Sequence, residues 1–211
     1  MTPAAERRAL LPPTAQAALL AAIAGYVDAV GFLRYQGFAC QITGNTVLLA
    51  LALFRRSWEQ SLYYVAMIAC FTIGVLLASG LIRFGRSSSL VLSLAAAAVA
   101  FCSVVGLKWV SPLLGLAMGM QTAAATRFGG ATVNTVYITG DVQRLFEGIV
   151  AFLWPRPGTP PPADVGPLAL VWLVYFCGAL TGAFADLSFR YALLIPAAIL
   201  PFVLLRGEAR R

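Results

Sequence analysis

The chain has 211 residues, of which 60% are hydrophobic and 11% charged, and its mean hydropathy is +0.84. That excludes an ordinary soluble domain, in which about a quarter of residues are charged. The net charge of +7 does not mark a nucleic-acid binder, because the basic residues punctuate the ends of apolar runs instead of clustering on one polar domain.

In chain order, residues 1–14 form a polar, proline-containing arm. Arg7-Arg8 ahead of an Ala/Leu run imitates a secretory signal, but the apolar run continues past any cleavage site, so it reads as a retained first helix. Eight hydrophobic segments follow: 16–33, 40–54, 62–82, 89–107, 112–126, 133–153, 168–187 and 191–205. Segments 16–33, 62–82, 89–107 and 168–187 are about 18 to 21 residues long, close to the roughly 20 needed to cross the hydrocarbon core. The others are shorter or, for 133–153, polar in their first half. A proline-rich stretch over 154–167 reads as an exposed loop, and 206–211 as a basic tail. The expected fold is all-α: a polytopic transmembrane helical bundle of six to eight spans.

Two elements recur. Gly25-Tyr26-Val27-Asp28-Ala29 is echoed 94 residues later by Gly119-Met120-Gln121-Thr122-Ala123, and Thr43-Gly44-Asn45 is echoed 96 residues later by Thr139-Gly140-Asp141. The third segments also match, Phe71-Thr72-Ile73-Gly74 against Phe176-Cys177-Gly178, each with a small residue four positions on (Ala78, Gly182). The chain therefore reads as two repeat units, 15–108 and 109–205, with broken helices at the Thr-Gly turns. Matching interruptions in two halves point to a transporter-like site, because freed backbone groups in a bilayer need a protein-buried or watery cavity. Four crossings per unit make the repeat parallel and three make it inverted; both remain open. With eight crossings and an internal N-terminus, nine basic residues, including Arg55, Arg56 and Lys108, fall on one side. Five fall on the other, including Arg34 and Arg190.

Asp28 is the residue of greatest chemical interest. A carboxylate in the middle of a span costs about 2.5–3.5 kcal/mol on insertion scales, so it must face the interior and find a partner. Either it serves a solute, proton or cation, or it pairs with an arginine of a neighbouring helix. In the second unit, Asp141, Arg144 and Glu147 read as one helical stripe, with Asp141 favoured by the helix dipole. Asn45 occupies the equivalent position as a neutral capping residue. These starts either line a cavity or only cap their helices. Gln36, Gln41, Gln121 and Asn134 add amides near the breaks, and Asp186 and Arg190 are spaced for an interfacial ion pair. Gly115-x-x-x-Gly119 and Gly178-x-x-x-Gly182 fit close helix packing, with a homo-oligomer contact as the lesser alternative. The four cysteines lack a C-x-x-C pair and read as packing residues. The lack of histidine removes a Ser-His-Asp triad, a Cys-His pair, His-ligated metal and a histidine relay. No cofactor or metal is expected, and no enzymatic motif is present.

Together Ala24-Gly25-Tyr26-Val27-Asp28-Ala29, Ile42-Thr43-Gly44-Asn45-Thr46-Val47, Gly119-Met120-Gln121 and Tyr137-Ile138-Thr139-Gly140-Asp141 resemble the YoaK family of bacterial membrane proteins, over most of 24–205. Where that family typically has Asn after Gly-x-Gln, this chain has Thr122. The resemblance implies a multi-pass protein of the bacterial cytoplasmic membrane, with the lipid bilayer as partner and no agreed substrate. The leading functional expectation is a small transporter or channel-like protein for a small polar or anionic solute. Its site is drawn from Asp28, Thr43, Gly44, Asn45, Gln121, Thr139, Gly140, Asp141, Arg144 and Glu147. The alternatives are a membrane-embedded enzyme using Asp28, Asp141 and Glu147 on a lipid-linked substrate, or a non-transporting scaffold.

Overall fold

A computed structural model describes residues 11–124, 138–155 and 165–203, which hold eight α-helices and no strand. They are α1 (Pro13–Tyr35), α2 (Ile42–Phe54), α3 (Trp58–Arg83), α4 (Ser88–Val105), α5 (Pro112–Ala124), α6 (Ile138–Leu153), α7 (Val165–Ser188) and α8 (Leu194–Ile199). Four of them, α1, α3, α4 and α7, are long and apolar enough to cross a membrane, and they correspond to the four longest segments expected. Most of the N-terminal arm, Asn134, most of the proline-rich loop and the basic tail lie outside the described residues.

Helix ends follow local chemistry. Proline at the first position starts α1, where its missing N–H costs nothing. Ser87 caps α4 by accepting from the Leu90 N–H at 3.2 Å. At the other end of α4, Gly106 adopts φ 66°, which a residue without Cβ tolerates, and returns its N–H to Cys102 O at 2.9 Å. In the 191–205 segment the described residues, up to 203, hold only the six residues of α8 and a 3-10 turn, since Pro196 and Pro201 withhold backbone donors.

Glycines set the main helix pairs. α1 lies against α7, with Gly25 under the Tyr175 carbonyl and Gly178 and Gly182 against the backbone of Ala22 and Tyr26. α3 lies against α5, with Gly74 against Leu116, Gly115 against Met67 and Gly119 against Phe71. Both small-x-x-x-small patterns thus serve contacts within the chain. Residue numbers rise together along each interface, so both pairs are parallel. Between the pairs the direction reverses. Leu114 packs over Gly31, while the Gln121 side chain donates to Leu20 O at 3.0 Å, so α1 and α5 are antiparallel. Tyr63, Met67, Leu92, Leu114 and Met118 fill the core between α3, α4 and α5. Large apolar side chains such as Leu76, Phe184 and Leu187 face outward, as suits a lipid surround.

After α1 the chain turns back into the bundle. Gln36 closes α1 in a left-handed conformation, and the Tyr64 hydroxyl donates to its carbonyl at 3.0 Å. Residues 37–41 then descend until the Cys40 N–H meets the Asp28 side chain, about two turns below the helix end. α2 starts at that depth and returns to the end it came from, where a short turn leads into α3. Its 13 residues span only about 20 Å, against roughly 30 Å of hydrocarbon.

The path of the chain corrects the charge distribution expected from eight crossings. Arg34, Lys108 and Arg190 line one cavity at the same end of the bundle, not opposite ends. Two departures from eight crossings produce this: α2 leaves by the end it entered, and α5, antiparallel to α1, ends where α7, parallel to α1, begins, so no net crossing separates α5 from α7 either.

Candidate functional site

Asp28 is the centre of the site. Its carboxylate is 3% exposed, and its two oxygens take separate donors. Oδ1 accepts from the Cys40 N–H at 2.7 Å, and Oδ2 from the Tyr175 hydroxyl at 2.7 Å. The Tyr175 oxygen in turn accepts from Gln41 Nε2 at 3.0 Å. Gly25, one turn before Asp28, permits this reach, because α7 approaches α1 so closely there that a Cβ would overlap the Tyr175 carbonyl. Among the described residues the ion pairs are Arg34–Asp186 and Arg144–Asp141, so no arginine neutralises Asp28.

Cys40 directly precedes Gln41, the N-cap of α2. The Asp28 carboxylate therefore lies at the amino end of that helix, where unpaired N–H groups and the dipole favour an anion. The protein's own carboxylate fills the position that sequence reasoning reserved for an anionic solute.

Asn45 does not cap its helix. It is the fourth residue of α2, too far in to reach the helix's own free amides, and the N-cap Gln41 makes no side-chain bond to them. The Asn45 amide is fully buried and clamps the descending loop: Oδ1 accepts from Phe38 N–H at 2.9 Å, and Nδ2 donates to Phe38 O at 2.6 Å. Gly44 makes room for the Phe38 ring, which stacks on Phe32 with centroids 4.6 Å apart. Thr43 is exposed and Thr46 bonds back to Ile42 O. The first tripeptide thus holds the loop that delivers Cys40 to Asp28.

Along α6 the expected stripe divides. Asp141 is buried in the first turn of α6 and pairs with Arg144 at 3.3 Å. Glu147 is exposed and accepts from Gln143 Nε2 at 2.8 Å. Six positions carry a helix roughly 120° away from its starting face, so Glu147 leaves the stripe. Gly140 is exposed with open space around it, and the Thr139 side chain lies outside the described residues. Gln121 is fully buried; its Nε2 holds the Leu20 carbonyl and its Oε1 has no hydrogen-bond partner. Thr122, at the position equivalent to Asp28, bonds to Met118 O in its own helix.

The expected Asp186–Arg190 pair is replaced by a longer-range one. Asp186 binds Arg34 of α1, whose remaining donors reach Arg190 O at 2.7 Å and Phe189 O at 2.9 Å. Arg34 thereby holds the two carbonyls just beyond the end of α7. Sequence reasoning missed Tyr175 and the Cys40 amide. One signal for Tyr175 was present: with Gly178 and Gly182 it makes an i, i+3, i+7 face, the face that meets α1.

Residues 16–205 match the family described as a protein of unknown function (DUF1275). The chain is also 26% identical over 217 aligned residues to the UPF0700 transmembrane protein YoaK of Bacillus subtilis (strain 168), an alignment covering 96% of this chain and 94% of that protein. No solved structure matches.

Proposed function

Because the chain belongs to the DUF1275 family, and its relative YoaK is a transmembrane protein, we propose that it is a small inverted-repeat transporter of the bacterial cytoplasmic membrane. Its cargo is a small polar solute, and Asp28 binds that solute or the proton that accompanies it.

Support for the repeat lies in paired contacts. Gly25 meets the Tyr175 carbonyl as Gly119 meets that of Phe71, and Gly178 meets the Ala22 carbonyl as Gly74 meets that of Leu116. The first-helix partners are offset by 94 residues (25 to 119, 22 to 116), and the third-helix partners by 104 (71 to 175, 74 to 178). Each unit's first helix therefore packs on the third helix of the other. The antiparallel run of α1 and α5 fits the inverted form, in which half-helices bring their amino ends to a central site.

The observation that carries the functional reading is the buried Asp28 carboxylate at the start of a half-helix, held by neutral donors alone. A group so placed can exchange a protein hydrogen bond for one to a solute or a proton. The counterparts of Asp28 and Tyr175 are Thr122 and Phe71, so this polar pair belongs to one unit only. Since the carboxylate already occupies the amino end of α2, neutral or cationic solutes suit that half better than anions.

The test is proton flux in liposomes reconstituted with the protein, read by a pH-sensitive dye while amino acids, small amines and polyols are added in turn. A responding solute should lose at least about tenfold in rate with Asp28→Asn, and less with Tyr175→Phe, in line with about 1.5–3 kcal/mol for a hydrogen bond to a charged group. Equal flux in wild type and Asp28→Asn would remove Asp28 from the mechanism.

A further inference from the structure

The carboxyl ends of α1 and α7 meet the α4–α5 connection around an open cavity of about 510 Å³. Its wall includes Arg34, Tyr35, Ser103, Lys108 and Arg190. We propose that this cavity is a binding site for a phosphate-bearing anion, supplied by a lipid headgroup or by free phosphate. It lies about two helical turns from Asp28 and does not depend on the transport reading.

Charge is the first support. Three cations line the wall, and among the described residues the one carboxylate engaged with them is Asp186, bound to Arg34. Lys108 and Arg190 have no acidic partner among the described residues and rest on aromatic faces instead. Lys108 Nζ lies 4.9 Å from the centre of the Tyr63 ring, and the Arg190 guanidinium 5.5 Å from that of Tyr191. Cations near helix carboxyl ends also offset dipoles of about half a charge each, so the charges alone do not identify a ligand.

The hydroxyls do. Tyr35 and Ser103 are 4% and 2% exposed, and neither Tyr35 Oη nor Ser103 Oγ has a hydrogen-bond partner. Dipole compensation has no use for two hydroxyl donors in the same wall, and a buried donor left unbonded costs about 1–3 kcal/mol. A ligand with several strong acceptor oxygens fits this set: an ammonium as point charge, a guanidinium fork and two hydroxyls. Basic pockets between membrane helices take anionic headgroups in this way.

Thermal unfolding of the purified protein in a neutral detergent tests the proposal. Dioleoyl phosphatidylglycerol, dioleoyl phosphatidylcholine and inorganic phosphate are titrated separately at matched ionic strength. Stabilisation by phosphatidylglycerol but not phosphatidylcholine identifies a lipid source, and stabilisation by inorganic phosphate a soluble one. In either case the half-maximal concentration should rise at least about tenfold in Lys108→Gln/Arg190→Gln and measurably in Ser103→Ala, but not in Arg86→Gln at the other end of the bundle. Equal responses to both lipids with none to phosphate, or stabilisation unchanged in the double variant, would overturn it.

Discussion

Replacing Asn45 with alanine strands both backbone groups of Phe38 in a buried setting, since the Asn45 amide supplies their partners at 2.9 and 2.6 Å. A loss of about 2–4 kcal/mol follows from two unmet buried groups, measured as reduced resistance to denaturant in micelles. Asn45→Asp should not rescue it, because a carboxylate faces the Phe38 carbonyl without a donor. The importance of this residue was legible in the sequence, but its target was not. A polar amide at a Thr-Gly turn reads as a cap, and only the fold of residues 36–41 reveals that it points backwards. Asp28 behaved similarly: its burial and need for a partner followed from its place in a span, whereas Tyr175 lies 147 residues away.

Helix pairing rests on positions where a methyl group has nowhere to go. At Gly25 and Gly119 an added Cβ overlaps a backbone carbonyl of the facing helix, and backbone cannot rotate aside as a side chain does. Gly25→Val and Gly119→Val should each lower stability by at least about 1–3 kcal/mol, with the helices forced apart. Gly80→Ala is the contrast: nothing lies near its Cβ, and it should be neutral or stabilising by up to about 1 kcal/mol in the same unfolding assay. The long elements were readable because length and apolarity alone define a span. The expected 62–82 became Trp58–Arg83 and 168–187 became Val165–Ser188, since polar end residues continue the helix beyond the apolar run. The shortness of α8 was readable in principle, from Pro196 and Pro201.

At the scale of the molecule, the return of α2 and the lack of a net crossing between α5 and α7 decide which ends share a side. Single cysteines introduced at positions 36, 56, 108 and 190 in a cysteine-free background should all react with an impermeant reagent from one face of the membrane, and a cysteine at position 86 from the other. Reaction of 36 and 56 from opposite faces would restore a crossing by residues 40–54, and reaction of 108 and 190 from opposite faces a crossing between α5 and α7. Sidedness was the least legible property, for a physical reason. It is a parity, so each element that turns back inverts every assignment after it, and the one local sign in residues 40–54 is their shortness against the span of the hydrocarbon.

The pairing of α1 with α7 and of α3 with α5 also imposes an order on synthesis. α3 can dock as soon as α5 has emerged, whereas α1 waits for α7. At about 5–20 residues per second, the 147 residues between Asp28 and Tyr175 take roughly 7–30 s to translate. Throughout that interval the first helix holds a carboxylate in the bilayer without its hydroxyl donor. The nascent chain is therefore most exposed to membrane quality control before its seventh helix arrives, and a ribosome stalled after α6 leaves behind a protein whose first helix lacks its main partner.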